Sequence, residues 1–374
     1  MLDKYKYRLG FFLLLAFLNF NAFSTEPLDV EKENQHETHD INQHEEEFNA
    51  GTMIIDHILD AHEWHILSIG DKHISIYLPV ILIDKGKLHL FSSSKFHHGH
   101  SGYLGFKLEK KGPYKGKIVK TIGDTMETDT QASLPIDLSI TKNTLALFIS
   151  VILMLVIFLS IAKTYKKNPN TAPKGMQSLI EIAILFVRDD IAKSAIGEKK
   201  YEKYTPYLLT LFFFIFLNNL IGLIPIFPGG ANLTGNIAVT MTLALFTFFI
   251  TQFLGTKTYW GHVFNTPGVP WYMKFPIPLM PIIELIGLIT KPFVLMVRLF
   301  ANITAGHIIV MGFISLIIIL GKIHIGLGYG ISIISVSLAI FMTFVELLVA
   351  FIQAFVFTLL TALYFSAAVE EAHH

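Results

Sequence analysis

Beyond residue 140 the apolar positions of this chain run together in long blocks; before it they alternate with polar ones over short stretches. Blocks at 143–162, 207–227 and 235–255 each reach the roughly 20 residues that a helix needs to cross the hydrocarbon core of a bilayer. The second and third are joined by Pro228-Gly-Gly-Ala-Asn-Leu-Thr234, whose Pro-Gly and Gly-Gly pairs signal a turn, so they predict a membrane hairpin. Two further blocks, 276–320 and 330–369, are about twice as long as an upright span. Each must tilt strongly or break within the membrane, and Pro292 offers a place for a kink. Between the first span and the hairpin, residues 175–196 interleave Leu179, Ile180, Ala183, Ile184, Val187 and Ile191 with charges. That pattern predicts an amphipathic helix lying along the membrane surface.

The first part of the chain reads differently. Lys4, Lys6 and Arg8 precede an apolar run from Leu9 to Phe20, and Ala22-Phe23-Ser24 follows, so 1–24 is read as a secretory signal peptide. Residues 25–50, rich in Glu and His, hold too few apolar groups to fold and are expected to form a disordered tail. Residues 51–135 are expected to form a small extracytoplasmic domain. It would comprise a short helix over 53–66 and strands at 64–67, 73–77 and 88–91, with Asp84-Lys85-Gly86-Lys87 as a hairpin turn. Residues 136–374 are left as the membrane domain. The expected fold class is an all-α polytopic membrane protein with about five transmembrane helices, the last two long and tilted. An amphipathic surface helix and a mostly-β N-terminal domain complete it.

Charge sets the orientation. Residues 25–140 hold 19 acidic and 11 basic side chains, whereas 141–374 hold 9 and 15. The basic excess falls in the loop from Lys163 to Lys203, which the positive-inside rule places in the cytoplasm. A bacterial cytoplasmic membrane with the N-terminal domain outside and the C-terminus inside is therefore expected. Trp260 and Trp271, in the loop 256–275, suit the interfacial belt. No basic tract or reading motif points to nucleic acid, and no phosphate loop points to nucleotide. The chain has no cysteine, which excludes disulfides and thiolate metal sites. His36, His39, His44 and the run His97-His98-Gly99-His100 raise the possibility of a metal, since imidazole binds zinc and copper. They lack both helical register and a carboxylate fixed by spacing, so neither metal nor cofactor is expected.

The candidate chemistry lies inside the apolar blocks. Arg298 keeps its charge in any protein environment, and at the centre of a lipid-embedded helix that costs at least about 2.5–3.5 kcal/mol. Such a residue faces a partner, a wet cavity or a substrate path. Glu284, Lys291, Arg298 and Asn302 fall on one stripe of a helix, and His307 lies on the opposite side from Arg298. In the last block, Glu346 and Gln353 share a face. Glu346 with His307 would form a titratable pair within the bilayer, as proton relays use. Asn218, Asn219, Asn232 and Asn236 cluster at the hairpin turn, either lining a wet vestibule or capping helix ends.

From about residue 143 to the C-terminus the chain resembles the a subunit of the rotary Fo motor of F-type ATP synthase. The resemblance rests on Glu284 followed by Lys291-Pro292, on Arg298-Leu-Phe-Ala-Asn302-Ile-Thr-Ala-Gly306, and on Gln353-Ala-Phe-Val-Phe357 with Tyr364. Leu-Ile-Pro225 and Asn232-Leu-Thr-Gly-Asn236 add to it, whereas residues 1–135 are not covered. It implies that the family's essential arginine is Arg298, with Asn302 as its helical neighbour and Gln353 as its partner. It further implies a stator with two proton half-channels, not catalytic on its own. The partners would be a c-subunit ring, b-type peripheral stalk subunits and the rest of the synthase. Protons would enter past Asn236, His307 and Glu346 and leave past Glu284. Many bacterial members have glutamate at the position of His307 and histidine at that of Glu346; here the two are exchanged. Some carry an aspartate where this chain has Gly222. The residues alone also admit a secondary transporter or a membrane anchor, although no internal repeat supports the former.

Overall fold

The computed structural model describes residues 49–69, 72–110, 112–123, 126–167, 172–224, 229–264 and 279–370. The signal peptide assigned to 1–24, most of the tail at 25–50, and Trp271 lie outside these residues. The chain divides into two compact units. One holds the residues before Ala146 together with Ile308–Ile340, the other Ala146–His307 and the residues from Phe341 onward.

The first unit begins with α1 (Ala50–Ile58), which Asn49 caps by accepting hydrogen bonds from the backbone N–H groups of Gly51 and Thr52. The helix expected over 53–66 thus starts and ends earlier. It stops at Ile58 because the Trp64 run enters a strand, β1 (Glu63–Ile69), paired antiparallel with β2 (Lys72–Tyr77). Next come β3 (Pro79–Asp84) and β4 (Lys87–Ser92), in register from Pro79–Ser92 to Asp84–Lys87. Their two-residue turn has φ of 47° at Lys85 and 77° at Gly86. Positive φ at both positions is the geometry that matches the twist of flanking strands, and glycine adopts it without a Cβ penalty. Short strands β5 (Phe106–Leu108) and β6 (Ile118–Lys120) pair, and β7 (Ile136–Asp137) joins β3 to give the order β4-β3-β7. Val80 and Leu82 on the inner face of this sheet pack with Phe96, Phe106 and Ile118.

The chain then passes without a linker into α2 (Lys142–Lys167). Leu138 N–H donates to the Ile81 carbonyl, Ile140 N–H to that of Pro79, and Lys142 N–H to that of Ala61. The Asp60 carboxylate accepts from the Asn143 N–H at 3.0 Å, and the Lys142 ammonium donates to the Leu59 carbonyl at 3.3 Å. The domain therefore supplies partners that the first turn of a helix lacks. Beneath this clamp, His62 bonds Asp137 at 2.8 Å.

In the second unit, α3 (Met176–Leu185) continues through a π-helical stretch, Phe186–Lys193, to a last turn at Ser194–Ile196. The expected amphipathic segment is helical but uneven. Its first half exposes Met176, Leu179 and Ile182, while the charges gather in the π-helical part, where Arg188 and Asp189 pair at 2.8 Å. Spans α4 (Tyr201–Leu223) and α5 (Ile237–Leu254) form the hairpin. α4 starts six residues before the expected block and runs through Pro206. A short helix, α6 (Lys257–Phe264), carries Trp260.

The last two elements, α7 (Leu279–Ile323) and α8 (Ile325–Val369), are each 45 residues and unbroken, Pro292 included. α8 begins five residues before the expected 330, and only His324 separates it from α7. The reversal is tight because Gly321 meets Gly328: a Cβ at Gly328 would lie 2.7 Å from the Gly321 Cα. In all, five described helices are long and apolar enough to cross a membrane. At about 1.5 Å per residue, α7 and α8 are each more than twice as long as the roughly 30 Å core is thick.

Burial would raise the Asp137 carboxyl, yet hydrogen bonds from His62 and Ser139 outweigh it and hold Asp137 below its ordinary 3.8. A carboxylate depressed in the folded state stabilises the fold above its unfolded pKa, and that contribution is lost as pH falls through the folded value. We expect the protection factors of the amides of β3 and β7, taken relative to the intrinsic exchange rate at each pH, to fall as pH drops below about 4. In Asp137→Asn the pH dependence should flatten while exchange at neutral pH is already faster.

Candidate functional site

On the inner half of α7 the helix has two faces of opposite character. Leu295, Met296 and Leu299 are buried among Leu208, Phe212 and Phe357 of α4 and α8. On the other side Val294, Val297, Arg298, Ala301 and Asn302 are all exposed. Among the described residues no acid pairs with Arg298. A permanent cation and a carboxamide are thus presented side by side on an otherwise apolar surface.

Two turns toward the start of α7, Lys291 places its ammonium 5.6 Å from the centroid of the Tyr364 ring. Tyr364 also lies within electrostatic reach of Arg298. Lys291 and Tyr364 border a cavity of about 20 Å³, enough for one water molecule. Thr247, Gln252, Tyr259 and Leu288 contribute to its wall. Burial pushes the Tyr259 phenol up, and the half-buried Glu284 carboxylate nearby adds to the shift. Glu284, Lys291 and Arg298 thus keep to one helix stripe, with aromatic and amide groups of α5, α6 and α8 gathered beside it.

The opposite side of α7 holds the second cluster. The Glu346 carboxylate of α8 rests directly on Gly306: a Cβ there would overlap Oε1. That oxygen is buried without a hydrogen-bond partner. His307, the next residue, points its Nε2 toward Gly222 of α4, 4.0 Å from where a Cβ would stand. The acid of α8 therefore rests on the residue of α7 that precedes the imidazole, while Arg298 faces elsewhere. One turn from His307, the Thr304 hydroxyl is also buried without a partner, a residue that nothing in the sequence singled out.

The hairpin amides divide their roles. Asn219 donates to the Ala350 carbonyl at 3.3 Å and accepts from the Thr234 hydroxyl at 2.6 Å, tying α4 and the turn to α8 one helical turn from Glu346. Asn218 bonds back to the Phe214 carbonyl, and Asn232 accepts from the Gly235 N–H. Asn236 caps α5 through the Ala238 N–H. Gln353, expected opposite Arg298, is buried on α8 beside Ala354 and Ala350. The histidines of the first unit are engaged locally: His98 bonds Glu63 at 2.9 Å, and His100 accepts from the Lys110 ammonium at 2.8 Å. Among the described residues no three His, Asp or Glu side chains are grouped to hold a metal ion.

A bundle of apolar spans with an unpaired cation on one face and an unpaired acid within it belongs to the polytopic membrane proteins that move ions. Comparison with known proteins narrows the class. A model of the ATP synthase A chain matches residues 144–366, and a model of a domain of unknown function (DUF8433) matches 53–138. ATP synthase subunit a 2 of Chlorobium luteolum is 45% identical over 252 residues, covering 64% of this chain and 70% of the relative. ATP synthase subunit a of Chloroherpeton thalassium is 42% identical over 245 residues, covering 64% and 69%. That of Anaeromyxobacter dehalogenans is 37% identical over 297 residues, covering 74% and 70%. The chain belongs to the ATP synthase A chain family, the subunit a of F-type ATP synthase, and is a multi-pass membrane protein of proton transport and ATP synthesis.

The contact between Gly306 and Glu346 has a direct test. Gly306→Ala forces the carboxylate off its seat, an overpacking cost of about 1–3 kcal/mol, so proton pumping should fall roughly tenfold or more. Fluorescence quenching in inverted vesicles reads this. The shorter acid of Glu346→Asp should restore part of the loss.

Proposed function

We propose that this chain is the stator of the membrane motor, forming two proton half-channels against a rotating c-subunit ring. The exposed Arg298, with no acid paired to it among the described residues, carries the reading. Its charge calls for a carboxylate supplied from outside, and a ring of membrane-embedded acids meets that need. Neutral ring sites pass through lipid, where an ionised acid would cost several kcal/mol. On reaching Arg298 a ring carboxyl meets a fixed positive charge, which favours its ionised form and expels the proton. The same cation keeps protons from hopping directly between the half-channels.

The entry route runs from outside past Asn236, His307 and Glu346, and the exit route past Glu284 toward the cytoplasm. Asn302 and Gln353 support Arg298 from its own helix and from α8. Because 100 mV contributes about 2.3 kcal/mol per charge, several protons cross for each ATP. α7 and α8 lie strongly inclined, following the ring. The segment 1–24 is removed on export, 51–135 lies outside the membrane and the C-terminus inside. The b-type stalk subunits hold the stator against rotation, and ATP chemistry belongs to other subunits.

Arg298→Ala should abolish proton-coupled ATP synthesis while the complex still assembles; ATP-driven pumping at the normal rate in that variant would refute the motor role. His307 and Glu346 should behave as one relay. In a double-mutant cycle of His307→Ala and Glu346→Gln, the second change should cost little once the first is made. Strictly additive losses would dissolve the pairing.

A further inference from the structure

The sheet β4-β3-β7 is apolar on both faces, which an antiparallel sheet with one face in water is not. Its inner face packs in the domain core. On the outer face Ile81 pairs with Leu90, and Ile83 lies between Leu88 and Ile136. Leu88, Leu90 and Ile136 are 66%, 67% and 60% exposed, and Ile81 and Ile83 are half-buried. No charged side chain interrupts these five aliphatic residues; Lys85, on the hairpin turn, and Lys87, the first residue of β4, stand at one end. A contiguous apolar surface of this kind marks an interaction site.

We propose that this outer face rests on the lipid surface around the head of α2. Two observations favour lipid over a protein partner. First, the sheet is hydrogen-bonded to the segment that leads into the span: Leu90 pairs with Ile81, whose carbonyl takes the Leu138 N–H, and α2 begins four residues later at Lys142. Four residues of extended chain reach at most about 14 Å, which keeps this end of the sheet near the headgroup layer. Ile55 and Leu59, exposed on and just after α1, lie against the same clamp, since the Leu59 carbonyl receives the Lys142 ammonium. Second, the face has no Trp, Tyr or Arg, the side chains that anchor protein interfaces, and its two most exposed residues, Leu88 and Leu90, are of a type that hot spots under-use. Lys85 and Lys87 at its edge would set their ammonium groups among anionic headgroups. The inference rests on α2 crossing the membrane and not on the roles assigned to Arg298, His307 or Glu346.

The absence of cysteine makes the test specific. Leu88→Cys, Leu90→Cys and Ile136→Cys are each labelled with a nitroxide in the full chain, reconstituted in liposomes with and without anionic lipid. Thr130→Cys, exposed in a loop off the face, is the control. Collision with dioxygen should exceed collision with a water-soluble nickel chelate at the three sheet positions and fall below it at Thr130. Anionic lipid should widen the difference at Leu88, nearest the lysines. A chelate-dominated signal at all three positions would overturn the proposal, and so would labels that become shielded from both reagents only when other synthase subunits are added. Loss of pumping in any of these variants with the lipid signature intact would bear on the motor reading alone.

Discussion

Arg298 cannot shed its proton, and among the described residues no carboxylate pairs with it. In a medium that solvates charge poorly, that single fact dictates how much of the structure must be arranged. The helix carrying it has to present one face outward, so Leu295, Met296 and Leu299 bury the other against α4 and α8. Asn302, one turn on, keeps to the same open face. Gly306, on which the Glu346 carboxylate rests, and His307 lie on other faces of α7 than Arg298.

Close helix approach makes that arrangement possible. α8 buries Ala350, Ala354, Thr358, Thr361, Ala362 and Ala368, small side chains that let backbones come near where no hydrophobic force drives spans together. Thr358 and Thr361 return their hydroxyls to their own helix, at the carbonyls of Ala354 and Phe357, so burial leaves neither unsatisfied. Gly306 continues the logic from α7, since its missing Cβ is the space the Glu346 carboxylate occupies. Gly222 lies beside His307, where a Cβ would stand 4.0 Å from Nε2, an ordinary contact. An acid at position 222, as some members of the family carry, would stand against that ring. The exchange of acid and imidazole between α7 and α8 therefore has to be accommodated on α4 as well.

Much of this was legible in the sequence. Five apolar blocks declare five spans by length alone, the Lys85-Gly86 turn declares its hairpin through the φ > 0 preference of glycine, and the seven-residue recurrence of Glu284, Lys291 and Arg298 declares a stripe. What was not legible depends on which residues of different helices meet. Nothing local distinguishes Gly306 from Gly287 or Gly312, each of which would meet nothing within 4 Å on gaining a Cβ. Only the position of α8 makes Gly306 a seat. Thr304 and the Asn219–Ala350 tie escape for the same reason. The ends of α1 and α8 were misjudged where a strand or a one-residue reversal overrides the apolar count.

The N-terminal domain obeys the constraint that governs α2. A span's first turn leaves four N–H groups without partners just where water becomes scarce. Asp60 satisfies that of Asn143, the Ala61 carbonyl that of Lys142, and the Thr141 hydroxyl that of Thr144. A flexible tether between domain and span would give up these bonds. Because Leu138 and Ile140, just before the span, bond Ile81 and Pro79 of β3, the sheet and the head of the span are held as one piece. Whatever surface surrounds that head is then within reach of the domain's apolar face, and the chain has no slack with which to carry the face away from it.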